Sequence, residues 1–534
     1  MMGPDMEARE VSTGNARGKI LKLCFLGVLG AALLAIAALG GTTPAPALMR
    51  SFGSASSSPS PLLGDGSAVD WWFAFKGNTA AFPQCSSKLT CAFGGSPTPK
   101  DYSLQYVLSY GKSGKTSEMQ LHTDCLGNAK DPLAQTFAQV YSGQAPNFVV
   151  WNDQFYDDPN LNVDPPCPGY CKGPWGHSKG VMAWGDDGTG FVLQVTTPDW
   201  PGSGTHEHPR KRGNTLGCCQ DDNVLVSQHF FAVKLATPQD TLAVLQSLQR
   251  ASVATDPSNP EIVKLTSGPS ELTNAAKQLG RQVKDVEPLL SQLSIRTSQS
   301  QVHLIAKPSA LNVPPWHMVS SLLQVPLRTA TWWAHPQINS TKKAFQPGCW
   351  HSELKPPLEV QVALSGQWAG KTFSFRGLAS PDANHAKMAH SMDGSNLAVL
   401  ADMNQQGMLS DDGSKEGCST SQNGRGGLFF VLQDSTLHDG LAKLLTGDTA
   451  DYAGGSPSPS PSPSPSPSPS PSPSPSPSPT GCGGAGVKWN TCKASGCKYV
   501  KKENAEACGV PGYGCFPEKS LKAGCPESLE EIHK

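Results

Sequence analysis

Apolar runs of strand length, separated by polar or glycine- and proline-containing breaks, recur along the middle of this chain. Residues 69–75, 104–108, 148–151, 180–184, 191–197, 358–364, 397–401 and 427–432 each read as a strand. Between them the apolar spacing changes from two to between three and four. Leu242, Leu245 and Leu248 predict a helix over 241–252; Leu279, Val283 and the Leu289-Leu290 pair predict another over 273–293; a third covers 436–445. Strands interleaved with helices define a mixed fold, α/β or α+β.

The flanks follow different rules. Leu23 opens a 17-residue apolar run, 23–39, after Arg17, Lys19 and Lys22, which predicts a signal peptide or a retained signal anchor over 1–47. The run is rich in Ala and Gly and short of the roughly 20 residues a span requires, so cleavage near 38–47 is the first expectation. A linker over 48–63 leads to the main domain, 64–450. Serine and proline then alternate strictly from Ser456 to Pro479 inside a linker over 451–480. That segment predicts an extended polyproline II rod of about 75 Å at roughly 3.1 Å per residue, similar to the glycosylated stalks of plant and algal wall proteins. Cys482, Cys492, Cys497, Cys508, Cys515 and Cys525 follow in a module over 481–534, too small for a large core and expected to be held by three disulfides. Trp489, Tyr499, Tyr513 and Phe516 supply either its core or a carbohydrate-binding face, so cell-wall carbohydrate is one expected partner.

The formal net charge is −1, from 42 basic and 43 acidic side chains, which excludes a generic polybasic nucleic-acid binder. Cys85, Cys91, Cys125, Cys167, Cys171, Cys218, Cys219, Cys349 and Cys418 in the main domain fit an oxidising compartment. Cys167 and Cys171 with His177 near them invite a zinc reading. The surrounding Pro165, Pro166, Pro168 and Gly169 fit a disulfide-tied loop better, and no metal or other cofactor is expected. The Asn339-Ser340-Thr341 sequon predicts a surface glycan at Asn339. The run His206-Glu207-His208-Pro209-Arg210-Lys211-Arg212 reads as a solvated loop.

Two motifs carry the candidate chemistry. Gly176-His177-Ser178-Lys179-Gly180 and Asn384-His385-Ala386-Lys387 each place His and Lys two residues apart, at the head of an apolar run. On a strand, i and i+2 face one side, so each pair can point into one cleft. Two such pairs supply a nucleophile, an acid for a leaving oxygen, and positive charge for non-bridging phosphate oxygens. Thr196 lies as far beyond His177 as Asn404 lies beyond His385, which predicts equivalent second polar groups.

The words around these motifs resemble the deoxyribonuclease II family within the phospholipase D-like superfamily. The resemblance rests on Val69-Asp70-Trp71-Trp72-Phe73, Trp151-Asn152-Asp153-Gln154, the two His-x-Lys motifs, Asp186-Asp187-Gly188 leading to Pro198, Asp402-Met403-Asn404-Gln405 and Arg425-Gly426-Gly427. It covers most of 64–445. It implies a pseudo-duplicated phospholipase D-like sandwich, with central sheets and flanking helices. It also implies acid, metal-independent endonuclease activity on DNA, a phosphohistidine intermediate and 3′-phosphate ends. His177, Lys179, His385 and Lys387 are the catalytic candidates; Asn152, Asp186, Thr196, Asp402 and Asn404 are supporting candidates.

The acidic residue that follows each His-x-Lys in the superfamily falls late here, at Asp186 for His177 and at Asp393 or Asp402 for His385. The loop over 407–425 is long. Two other readings stay open: a phosphodiesterase of the same fold acting on RNA or lipid, and an inactive wall-associated glycoprotein that binds anions. The secretory pathway is the expected location, ending in a lysosome or vacuole or outside the cell, with membrane as a partner only if the N-terminal segment is retained.

Overall fold

The computed structural model describes residues 58–78, 105–123, 126–127, 130–141, 143–155, 161–167, 170–198, 226–295, 301–377 and 383–453, with three short strands beyond them. Residues 1–456 and 457–534 form two compact units. In the second unit, Gly484–Ala485, Cys497–Val500 and Gly514–Pro517 pair antiparallel. The apolar run 23–39, the basic loop 206–212, the Ser-Pro tract, five cysteines (Cys85, Cys91, Cys125, Cys218, Cys219) and the side chains of the six-cysteine module lie outside the described residues. Among the described residues, no helix is long and apolar enough to cross a membrane.

The main unit is mixed α and β. Its first half runs β1 (Trp71–Lys76), β2 (Tyr106–Lys112), β3 (Lys115–Thr116), β4 (Gln120–His122), α1 (Pro132–Tyr141), β5 (Asn147–Asn152), β6 (Lys179–Trp184), β7 (Gly190–Val195), β8 (Gln228–Leu235), α2 (Pro238–Arg250), β9 (Val263–Leu265) and α3 (Ser270–Ala276). The second half runs β10 (Leu289–Leu293), β11 (Gln301–Lys307), α4 (Pro315–Leu323), β12 (Leu327–Ala330), β13 (Val360–Val362), β14 (Ser365–Trp368), β15 (Lys371–Ser374), β16 (Met388–Ser391), β17 (Leu397–Ala401), β18 (Gly427–Gln433) and α5 (Ser435–Leu444).

The central strands of the two sheets follow one plan. The first sheet contains the order β1-β8-β7-β6-β5 and the second β11-β18-β17-β16-β12, every neighbouring pair antiparallel. Each half enters on its first strand, crosses over through a helix (α1 or α4), adds a hairpin, and returns on a last strand that pairs with the first before a closing helix (α2 or α5). This is the duplication the resemblance implies. The first-sheet strands β1, β5, β6 and β7 are buried at every position, which explains runs such as Phe-Val-Val-Trp without alternation.

One buried cluster joins the halves, with Phe231 of β8 and Phe430 of β18 at 5.5 Å between ring centroids. Helix α2 begins at Pro238, three residues ahead of the expected start at 241. Thr237 accepts from the Asp240 amide and the Asp240 side chain returns to the Thr237 amide, a closed capping box. The expectation of a helix over 273–293 is corrected: α3 ends at Ala276, Gly280 turns the chain at φ +70°, and β10 begins directly after Pro288. Leucines at helical spacing there serve a turn and then an edge strand, with Leu290 exposed.

Cys167 and Cys171 form the disulfide expected of that loop, and Cys349 pairs with Cys418. Among the described residues no group of His, Cys, Asp or Glu could hold a metal ion.

Candidate active site

Strand direction gathers the functional side chains at one edge of each sheet. β1, β5 and β7 end where β6 and β8 begin, and in the second half β11, β12 and β17 end where β16 and β18 begin. Lys179 is the first residue of β6; Lys387 immediately precedes β16. Both His-x-Lys motifs thus enter strands as their sequence predicts.

His177 is held from the opposite half. Its amide donates to the Gly426 carbonyl at 2.8 Å, and its Nδ1 lies 2.5 Å from the Asp402 carbonyl. A carbonyl can only accept, so Nδ1 carries the proton and Nε2 keeps its lone pair. Lys179 Nζ stands 3.5 Å from that Nε2 and donates to Asp153 Oδ1 at 2.6 Å. Asp153 also receives Arg425 Nη2 at 2.6 Å on its other oxygen. Arg425 further donates to the carbonyls of Cys171, Gly176 and Trp175, so one guanidinium ties the disulfide loop and the motif's own backbone to Asp153.

The second pair is built similarly and not identically. The His385 amide donates to the Ser227 carbonyl at 2.7 Å, the Lys387 amide to His229 Nδ1 at 3.1 Å, and Lys387 Nζ to the His385 carbonyl at 2.6 Å. The Trp332 ring meets His385 edge-on at 4.3 Å between centroids. His385 Nδ1 has no hydrogen-bond partner among the described residues.

Burial, foremost, lowers the pKa of both histidines well below 6.5. The next push on His177 comes from Lys179, Arg425 and Lys387, and on His385 from Lys387, Lys179, His177 and Lys76. Each imidazole therefore feels the other motif's lysine, which brings both pairs into one electrostatic neighbourhood.

The supporting candidates divide. Asn152 is fully buried at the end of β5, directly across from Lys179 in the register. Asp186 is exposed in the β6–β7 turn, at the far end of the strand from Lys179, and accepts from Ser267; the sequence assignment of an acidic partner there is corrected. Asp153 holds that place. Asp393 is likewise exposed in a turn, bonded to Ser395.

Asp402 serves His177, through its carbonyl, rather than His385. Its carboxyl accepts from the Leu428 amide, and burial raises its pKa to about 7 against that bond and the Ser178 hydroxyl. Thr196 bonds Gln228 Oε1 at 2.6 Å and bridges to His229; Asn404 bonds Gln406 at 3.0 Å. The two are not structural equivalents. Gly180 opposes Gln194 while Met388 opposes Leu400, so the second hairpin is one residue shorter in each arm and Asp402, not Asn404, matches Thr196. Asn339 is half-buried in the irregular segment between β12 and β13.

Asp153 and Arg425 lie inside the words that carry the resemblance but bear no role legible there, and His229, Trp332 and Lys76 lie outside those words. The adjacency of Asp153 to Asn152 and the glycines after Arg425 were the available signals.

No curated protein matches the chain. The family model described as deoxyribonuclease II matches residues 60–446, the span that contains both sheets, both His-x-Lys pairs and the Asp153–Arg425 bridge. The chain belongs to the deoxyribonuclease II family, phosphodiester hydrolases that cut DNA in acid.

Proposed function

We propose that this protein cleaves DNA internally in two displacements, without a metal, at the shared edge occupied by the two His-x-Lys pairs. In the first, His177 Nε2 attacks phosphorus, a P–N bond forms, and the bond to the 5′ oxygen breaks as protonated His385 gives that oxygen its proton. In the second, neutral His385 takes a proton from water, the water oxygen attacks phosphorus, and the P–N bond breaks. The strand is left with a 3′-phosphate and His177 is restored. Lys179 and Lys387 offset charge on the non-bridging oxygens.

The observation that carries this assignment is the His177 Nδ1 contact with the Asp402 carbonyl, 2.5 Å, which leaves Nε2 as the free nucleophile. No such bond fixes His385, whose ring is free to change protonation during the cycle. Because burial and neighbouring cations both depress the histidines, the His385 cation forms only in acid, in keeping with the family's acid activity. The disulfides and the N-terminal apolar run support passage through the secretory route to a lysosome-like or external site.

The test uses the full-length protein on supercoiled plasmid near pH 5 in EDTA, beside His177→Ala and His385→Ala. Each variant is expected to lose about a thousandfold in kcat. An alkaline quench of His385→Ala should retain a covalent phospho-adduct that His177→Ala lacks. Undiminished cleavage by either variant, or an adduct on His177→Ala, would reject the assignment.

A further inference from the structure

Two buried lysines outside the His-x-Lys motifs occupy matching places. Lys76 ends β1 and Lys307 ends β11, and each faces the first residue of the strand that closes its half: Lys76 opposes Gln228, Lys307 opposes Gly427. Their ammonium groups share two kinds of bond. Lys76 Nζ donates to the Val226 carbonyl at 2.5 Å and to the next residue's carbonyl, Gly77, at 3.3 Å. Lys307 Nζ donates to the Arg425 carbonyl at 2.9 Å and to the next residue's carbonyl, Pro308, at 3.3 Å, with Asn423 added at 2.7 Å. In the two registers Val226 and Arg425 are equivalent, as are Ser227 and Gly426.

Those second residues receive the histidines. The Ser227 carbonyl takes the His385 amide, and the Gly426 carbonyl takes the His177 amide. Each lysine therefore grips the peptide next to the one on which the other half's histidine is docked. We propose that Lys76 and Lys307 are positioning residues that act crosswise: Lys76 of the first half sets the place of His385, and Lys307 of the second half sets the place of His177. This rests on the two-histidine reading above for its catalytic meaning, and on geometry alone for the clamp.

An ordinary buried lysine that satisfies stray carbonyls would account for one such site. It does not account for two at the same register, reached from unlike sequences (Ala-Phe-Lys-Gly and Ile-Ala-Lys-Pro), each ending one peptide from a histidine of the opposite half. The placement is also costly. Burial lowers both lysines to about 7, and an ammonium withdrawn from water forfeits its hydration unless fixed dipoles replace it. Sheet-end carbonyls need no ammonium for that purpose, since a neutral donor or water serves.

The experiment compares the full chain with Lys76→Met and Lys307→Met, reading kcat and KM on plasmid near pH 5 and the ring resonances of His177 and His385 by NMR. The expected result is a fall in kcat of about tenfold to a hundredfold with KM changed less than about twofold. Lys76→Met should shift the His385 resonances and leave those of His177, and Lys307→Met the reverse. A merely structural role would disturb both rings alike, and simple loss of the Lys76 charge, which pushes on His385, would move that ring's pKa without a fall in kcat at its optimal pH. Shifts shared by both rings in each variant, or no shift in either, would overturn the clamp. Crosswise shifts with undiminished kcat would leave the clamp standing and reject the catalytic reading instead. Should a methionine variant fail to fold, Lys→Gln keeps a shorter donor and the same crosswise comparison decides.

Discussion

Asp153 binds Lys179 on one oxygen and Arg425 on the other, all three side chains nearly or wholly shut off from water. Desolvating three charges is offset only while the carboxylate stays ionised between its cations, so the loss from removing it exceeds that of an exposed ion pair. Asp153→Asn keeps the shape and leaves two buried cations facing a neutral amide. The expected cost is about 3–5 kcal/mol of unfolding free energy, read as a lower urea midpoint. Lys179 would also lose its anchor beside His177 Nε2, and kcat should fall with it. An unchanged urea midpoint would show that Asp153 does not carry the bridge. The His and Lys of this network were legible in the sequence because His-x-Lys recurs at the head of two apolar runs, within words that resemble one family. Asp153 and Arg425 were not, because a contact across 272 positions leaves no local period.

At the scale of elements, what could be read was set by how each element is buried. Helix α2 announced itself through leucines on one face and α5 through its apolar spacing, while the caps at Thr237 and Asp434 emerge only in the structure. Strands such as β5 and β7 showed as apolar runs bounded by turns. The stretch 273–293 misled because its leucines keep helical spacing across Gly280 and Pro288, whose backbone constraints outweigh propensity. The unequal hairpins misled too: equal spacing in sequence did not mean equal register, since two strands can each lose a residue without a mark in composition.

The same scale explains the glycines around His177. A Cβ on Gly176 or on Gly426 would run into the Ala251 carbonyl, just past the end of α2. The loop bearing His177 and the strand entry that receives its amide are thus packed against one helix terminus. Gly426→Ala must push that terminus or withdraw the carbonyl from His177. A displacement near 1 Å predicts about a hundredfold loss in kcat with little change in KM. Steady-state kinetics on plasmid would check it, and a loss confined to KM would place the effect in binding instead.

Over the whole molecule, protons couple stability to the site. Five described histidines have lowered pKa values: His177 and His385 well below 6.5, His229 and His317 to about 3, His390 to about 4. Each is neutral in the folded chain and charged in the unfolded chain once pH falls below 6.5, so the stability it lends drains away as pH falls from 6.5 toward its folded-state value. Two carboxyls, Asp131 and Asp402, are raised to about 7 and act oppositely, favouring the folded state as pH falls from 7 toward 3.8. Among the described residues the five uptakes outnumber the two releases, so unfolding near pH 5 should bind protons and the free protein should melt at a lower temperature there than near pH 7. Lys76 and Lys307, at about 7, are charged in both states near pH 5 and do not alter that slope.

Substrate reverses the sign at one of the five. An anionic phosphodiester beside His385 raises its pKa, so binding takes up a proton there and tightens as pH falls, while His177 stays neutral for attack. A phosphorothioate diester is a suitable probe, because its charge does not change between about pH 5 and 7. It should raise the melting temperature more near pH 5 than near pH 7, and calorimetry in buffers of different ionisation enthalpy should record proton uptake. Equal stabilisation at both pH values would mean that the diester does not sit between the two imidazoles. Proton uptake that survives in His385→Ala would assign it to His177 and overturn the role of that ring as the neutral nucleophile, separating the two rings by linkage where sequence symmetry could not.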